Sequence, residues 1–444
     1  MKFRLLCLLA CLSSYVPAGL LLAQSAPGFR IEEFATVTDP LRMTFYHPSG
    51  DIDVGRSNNG SGGARTDPVH VHKVGIDGSL LEFGNSPIPG PASVLFDENG
   101  SVAPAGSLLV GGVVTAKISF YAIQTNGTVI SLFGPSSVYP GPSDMAFDSN
   151  QRLVYITETG KLYVSSGGVP SVLVDLPANG RFLAIDSTDR IFTSTADGSI
   201  RVYGSAGNLM DDDFANGLGC CTSLAFGSGG VWGNGLYALS DGTLLRFDSG
   251  GNSTEIGTNL TTGSSSHLLF HPDGALYISD FTGDKILIVT PEPEQIAPSS
   301  VVVTRGQHIA GGNTALHKSD NVDLSISRSS FDVQSRTEFE IKAVSPVALP
   351  TSFEVLLEGA VFARSPVNQT IELFDYDAAT WEVVDARAAM RLSDSIAEIV
   401  VQGDPSRFVE PGTNCIEARI RYQSVNGRQQ FSSNTDQFLW LIGR

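Results

Sequence analysis

An all-β chain is predicted, a six-bladed β-propeller followed by a β-sandwich, and three observations predict it. Six apolar anchors, Phe45, Phe96, Phe147, Ile185, Phe226 and Phe270, recur at intervals of 51, 51, 38, 41 and 44 residues. Each opens one phrase: an apolar strand, a Gly/Asp/Asn turn, then a second strand such as Leu153–Thr157 or Leu276–Ser279. The phrase is clearest in FHPDGALYISDFTGDKILIV (270–289) and FDSNQRLVYITETGKLYV (147–164). A period of roughly 40–50 residues with several short strands per repeat is how a propeller reads, because one blade cannot bury its faces without neighbours. After residue 290 the period stops and plain strand alternation takes over, which marks a second domain.

The elements follow in order. The chain opens MKFRLLCLLACLSSYVPAGLLLAQSAPG, with Lys2 and Arg4 ahead of an apolar run to Ala23 and small residues at Ala23 and Ser25. This predicts a signal peptide over residues 1–25 and a secreted, periplasmic or cell-surface protein. Ser13, Ser14 and Pro17 interrupt the run, against a membrane anchor, and no later segment is apolar for long enough to be a transmembrane span. The propeller occupies 26–290. Blade one runs from about Leu41 to Phe83 with a polar insertion, SNNGSGGARTDP (57–68); blade two spans 92–133 and blade three 143–176. Blade four, 182–211, ends in the run Asp211-Asp212-Asp213, read as a solvated loop, and blade five covers 222–257. Blade six starts at His267 and stops after its third strand, Lys285–Thr290. Its fourth strand is assigned to Phe29–Val37 (FRIEEFATV), which has no blade of its own and would close the ring and cover an edge.

A Pro-rich linker, 291–300, leads into the sandwich, 301–444. Strands alternate at Glu338–Val344, Phe353–Leu357, Thr370–Phe374, Ile396–Val401, Cys415–Tyr422 and Phe438–Ile442. In the first, Phe339, Ile341 and Ala343 share one face while Glu338, Glu340 and Lys342 share the other, the period of a sandwich strand. Many such strands make a jelly-roll or Ig-like domain.

A formal net charge of −18 argues against nucleic acid or an anionic membrane as partner and leaves a small-molecule or glycan ligand. Beyond the leader only Cys220, Cys221 and Cys415 remain, which rules out a disulfide scaffold. The sequence holds no GxSxG elbow, HExxH helix or phosphate loop in a fitting context, so serine hydrolysis and nucleotide chemistry lose their usual support.

In a propeller, the loop entering each inner strand and the loop leaving each second strand share one face. Three residues ahead of the anchors stand Arg42, Ser93, Asp144, Phe182, Ser223 and His267; the second strands end at Arg56, Gly112, Glu158, Thr195, Ser240 and Asp280. Blade by blade, Arg42 meets Arg56, Asp144 meets Glu158, and His267 meets Asp280. Asp144 and Glu158 are oxygen ligands suited to Ca²⁺ or another divalent cation, or an acid pair whose repulsion raises one pKa. His267 oriented by Asp280 is a candidate general base. Arg42 and Arg56 are candidates to hold a carboxylate or sugar acid. Against all three stands an ion-pair network that merely caps the channel. His70 and His72, two apart on one strand face, need a third ligand such as Asp67 to hold a metal, and packed histidines are the favoured alternative. Cys220-Cys221 precedes the inner strand of blade five, at the mouth. Adjacent cysteines can close a strained ring that would support a ligand; free thiols, or a bridge to Cys415, are the alternatives.

The phrases PSDMAFD (142–148), FHPDGALYISD (270–280) and TGDKILIV (282–289) resemble blades of NHL-type, TolB-like and gluconolactonase (SMP-like) six-bladed propellers, with virginiamycin B lyase a further relative by blade style. The resemblance covers residues 29–290. It implies Asn and Asp metal ligands where inner strands begin; here Pro142-Ser143-Asp144, Cys221-Thr222-Ser223 and Ser265-Ser266-His267 carry no Asn. The segments 369–385 and 435–442 are similar to carbohydrate-binding jelly rolls. Two functions are therefore expected in competition. One is an exported binding protein with a polar mouth and a glycan- or surface-directed sandwich, where Trp381 and Trp440 are either sugar platforms or core. The other is a metal-assisted lactonase or lyase.

Overall fold

In the computed structural model the apolar run at each anchor is the innermost strand of a four-stranded antiparallel sheet, and among the described residues there are six such sheets. The structure describes residues 24–46, 48–56, 68–114, 117–136, 142–166, 170–261, 266–272, 274–329, 335–426 and 429–443. The expected leader, apart from its last two residues, and the insertion at 57–67 lie outside them. The chain forms two compact units. One comprises the described residues up to Pro27, Ile31–Gly227 and Asn234–Val289; the other comprises Gly28–Arg30, Ser228–Gly233 and Thr290–Arg444.

The inner strands are Pro40–Tyr46, Pro91–Asp97, Pro142–Phe147, Gly180–Ile185, Ser223–Phe226 and His267–Phe270. Each touches the next, and the sixth touches the first, so the six sheets close a ring. The hairpin after each anchor is set locally. Asp148 Oδ1 accepts from the amides of Asn150 and Arg152, and Asp186 Oδ1 does the same for Thr188 and Arg190. Each turn then needs one left-handed residue, supplied by Gln151 (φ 59°) and Asp189 (φ 62°). Between blades the strands bury Val, Ile, Leu and aromatic side chains on both faces, as in the cluster of Phe182, Phe192, Leu224, Leu236 and Phe247.

Blade six is completed by Phe29–Thr36, which lies outside Lys285–Pro291, as expected for closure by the chain start. The acid run is a correction. Asp211, Asp212 and Asp213 lie in the outer strand Leu209–Ala215 of blade four, exposed, rather than in a loop. Three charges on an edge strand repel further pairing.

The second unit stacks two sheets on one core. The first runs Gln307–Ala310, Leu324–Ser327, Phe431–Ile442, Phe353–Ala363, Ser395–Val400; the second runs Ser300–Arg305, Arg336–Val344, Cys415–Ser424, Val367–Asp375, Thr380–Ala388. Phe339, Ile341 and Ala343 are buried on the inner face as the alternation requires. The segment expected to be linker contributes a strand, because Glu294–Ile296 pairs antiparallel with Trp440–Ile442. Among the described residues, no helix is long and apolar enough to cross a membrane.

Candidate functional site

Bulges aim the ring of residues three ahead of the anchors. Pairing with the second strand slips between Pro40 and Met43, Pro91 and Ser93, Pro142 and Asp144, and Gly180 and Phe182. An extra residue at that point turns the following side chain. In blades five and six the strand simply begins at the ring residue, Ser223 or His267.

The polar ring residues reach sideways into the next blade. Asp144 Oδ2 accepts from the Leu183 amide (3.0 Å), Ser223 Oγ from the Leu268 amide (3.0 Å), and His267 Nδ1 from the Met43 amide (3.2 Å). In each case the donor is the residue after the next blade's ring position. Ser93 instead donates its hydroxyl to Pro142 O (3.0 Å). Blades approach closely here: a Cβ on Gly111 would collide with Ser93 Oγ and the Pro142 ring, and one on Gly180 with the Ile156 side chain.

Arg42 and Phe182 have no side-chain acceptor to offer, and they meet each other. The Arg42 guanidinium carbon sits 3.8 Å from the Phe182 ring centroid, and Arg42 Nη2 donates to Arg181 O (3.4 Å). Phe182 in turn lies nearly parallel to the His267 ring, 6.1 Å between centroids and 16° between planes. Cation, aromatic ring and imidazole from blades one, four and six are thus layered in the channel.

Burial dominates the electrostatics of this cluster. It pushes the Asp144 carboxyl up to about 6, although Arg42 and the amides of Leu183 and Met145 pull the other way. Burial, then the Arg42 charge, pushes the His267 imidazole down to about 3. At neutral pH the ring is neutral and its Nδ1 lone pair is taken by the Met43 amide.

The sequence-derived pairs fare differently. His267 is opposite Ser279, not Asp280, in the hairpin, and Ser279 Oγ accepts the His267 amide (2.9 Å) while donating to Leu41 O (2.7 Å). Asp280 Oδ1 accepts the Gly283 amide (3.2 Å) in the following turn. The expected His267–Asp280 base pair is therefore corrected to two separate structural contacts. Glu158 lies on the exposed rim and pairs with Arg181 (3.4 Å), while the charge acting on buried Asp144 is Arg42. Among the described residues no three His, Cys, Asp or Glu side chains gather as a metal site.

Arg56 is opposite Pro40, and it turns to Thr38 O (3.1 Å) and His72 Nε2 (2.7 Å), away from Arg42. Burial and the Arg56 charge push the His72 imidazole down to about 4, which suits a packed histidine. Asp67, the third ligand considered for His70 and His72, lies outside the described residues.

Cys220 is exposed and Cys221 half-buried, with their sulfurs 3.0 Å apart and both thiols free. Their turn is held by the Gly219 amide on Ser240 Oγ (2.7 Å) and by Thr222 Oγ1 on Gly219 O (2.8 Å). Burial and the Cys220 contact push the Cys221 thiol up to about 11, against the attraction of Arg181 and Arg42, which brings the sulfurs into the field of the ring. Arg181 was not legible as a site residue. It precedes a ring position, and only the fold reveals that its neighbours are Glu158, Arg42 and Cys221.

On the second unit, Trp440 is fully buried. Trp381 is half-buried, with the Arg419 guanidinium 4.4 Å over its ring and Phe374 edge-on at 5.3 Å. Arg419 and Arg421 both bond Glu372 (2.5 and 3.1 Å), and Arg421 also bonds Glu338 (2.9 Å), a charged lattice across three strands.

No family model matches the chain, and no curated protein matches it. Solved structures do. Virginiamycin B lyase from Staphylococcus aureus is 13% identical over 59% of this chain and 99% of that one, with a TM-score of 0.40. A gluconolactonase from Xanthomonas campestris is 13% identical over 59% and 89%, with a TM-score of 0.46. A glucose dehydrogenase is 14% identical over 58% and 99%, with a TM-score of 0.43. Likeness this distant bears on activity in neither direction.

Proposed function

We propose that the chain is an exported binding protein whose propeller mouth takes a small anionic ligand, a carboxylate or sugar acid, and whose sandwich engages glycan or a surface. One observation carries the reading. The groups that could run acid–base chemistry are committed to backbone amides: Asp144 to Leu183 and Met145, and His267 to Met43. The cations of the mouth are Arg42, buried and layered on Phe182 with Nη2 on Arg181 O, and Arg181, which stands on the rim paired with Glu158. A guanidinium held in a fixed plane is suited to a carboxylate. For the sandwich, the support is narrower: half-buried Trp381 beside the Arg–Glu lattice, with Trp440 removed from consideration by its burial. Export rests on the leader read at 1–25.

The test is a thermal-shift panel of sugar acids, their neutral sugars and their lactones, run with and without Ca²⁺. A sugar acid that binds should stabilise the fold by about 2.7 kcal/mol at a hundredfold excess over its Kd, and Arg181→Gln should lose most of that gain. Lactone consumption that needs a divalent cation would replace this reading with the lactonase or lyase one.

A further inference from the structure

Cys220 and Cys221 are adjacent in sequence and in space, and nothing in the binding reading uses their chemistry. Three features of the pair go together. Their sulfurs are 3.0 Å apart in a turn pinned by Gly219 and Thr222. Cys220 is exposed, whereas Cys221 is half-buried and packs against the apolar cluster between blades four and five. Arg42 and Arg181 put positive charge beside the pair.

We propose that Cys220 and Cys221 are a reversible redox pair, oxidised to a vicinal disulfide by exchange with a low-molecular-weight disulfide. The exposed sulfur acts first, because the thiolate is the nucleophile and access sets its rate. Cys220 loses its proton and attacks one sulfur of the oxidant RSSR; the Cys220–SR bond forms, the RS–SR bond breaks, and the leaving thiolate takes up a proton. Cys221 then loses its proton and attacks the Cys220 sulfur; the second thiolate leaves and is protonated in turn. Two protein thiols become one disulfide, and RSSR becomes two RSH. The burial that pushes the Cys221 thiol up disfavours its thiolate and makes it the second actor, attacking a sulfur already held beside it.

Covalent geometry makes the product labile. Cα atoms across a trans peptide are fixed about 3.8 Å apart, whereas disulfides usually span roughly 4.4–6.8 Å between Cα atoms. A strained, exposed disulfide is more readily reduced than a structural one. The pair therefore fits a switch better than a staple. The exchange needs no ligand at the mouth.

The folded full chain is incubated with oxidised glutathione, quenched, and mapped by peptide mass. The expected result is a Cys220–Cys221 peptide lighter by two hydrogens, carrying no glutathione, and restored by excess reduced glutathione. In Cys221→Ala, which keeps the apolar contact, a glutathione adduct should accumulate on Cys220 at least tenfold above the wild type. In Cys220→Ser, Cys221 should stay unmodified over the same time. A stable adduct on Cys220 in the wild type, or a dithiol that survives the oxidant, overturns the proposal. Should either variant fail to fold, the wild-type map decides alone.

Discussion

Replacing His267 by glutamine isolates the bond that joins the last blade to the first. His267 Nδ1 accepts the Met43 amide, and burial holds the imidazole down at about 3 against a usual 6.5. A base with a depressed folded pKa contributes stability that is complete above its unfolded pKa. That contribution is lost as pH falls towards the folded one. Between pH 7 and pH 4 the unfolded chain protonates His267 and the folded chain does not, which at about 1.4 kcal/mol per pKa unit costs roughly 3 kcal/mol. Asp144 works the other way. Its carboxyl is raised from 3.8 to about 6, so the folded state regains roughly 2 kcal/mol over the same acidification. The wild-type curve alone therefore moves little, and the quantity to measure is wild type minus His267→Gln. Glutamine can still accept the Met43 amide, so the variant should be within about 1 kcal/mol at pH 7. At pH 4 it should be more stable than the wild type by about 2 kcal/mol. The chain's three tryptophans all belong to the second unit, so fluorescence is the wrong probe. Urea unfolding read by hydrogen exchange of peptides around Met43 reports the propeller itself. A difference that stays flat from pH 7 to pH 4 would refute the claim that His267 is a neutral acceptor between blades.

Deleting residues 26–36 should leave Lys285–Pro291 as a bare edge, seen as aggregation or a broadened unfolding transition on sizing and denaturation; a monomer with a sharp transition counts against closure by this strand. A fragment starting at Pro291 should fold and resist urea better than one starting at Ser299, because only the longer one brings Glu294–Ile296 to Trp440–Ile442; equal midpoints would make that strand dispensable. In blade one, Lys73 Nζ lies 3.5 Å from fully buried Asp53 and 3.3 Å from the Tyr46 ring centroid. Lys73→Met should therefore cost about 3 kcal/mol at pH 8, less at pH 5 where Asp53, raised to about 7, is already protonated, and a pH-independent loss would contradict the pairing.

The ring positions were legible because both devices that make them are local: the repeat of the anchor phrase and the two-residue pleat. Their partners were not. Whether Asp144 faces Glu158 or the Leu183 amide depends on how far blade four sits from blade three, and that distance is set by Gly180 against Ile156. The bulge between Pro40 and Met43 breaks simple counting, so Arg56 ends up opposite Pro40 and Arg42 turns towards Phe182. The Asp280 contact was there to be read, since an Asp three residues ahead of Gly283 is a turn signal. Glu294–Ile296 read as linker because prolines flank it, and the strand that recruits it is at the far end of the chain.

Closure by Phe29–Thr36 has a consequence in time as well as in space. The first strand of the propeller to leave the ribosome pairs with nearly the last, so it must remain unpaired until blade six exists. Closing so long a loop adds little to the final free energy, because the entropic cost grows only with the logarithm of its length. It weighs heavily on the rate, since non-local pairings form after local ones. Each hairpin of blades one to five can form as it is made; the ring cannot. Until it does, blade six carries an open edge and the chain start carries its complement, and the same two surfaces on neighbouring molecules can join instead. Partial assembly at high concentration is thus a route to domain-swapped pairs, with the strand Phe29–Thr36 as the exchanged element.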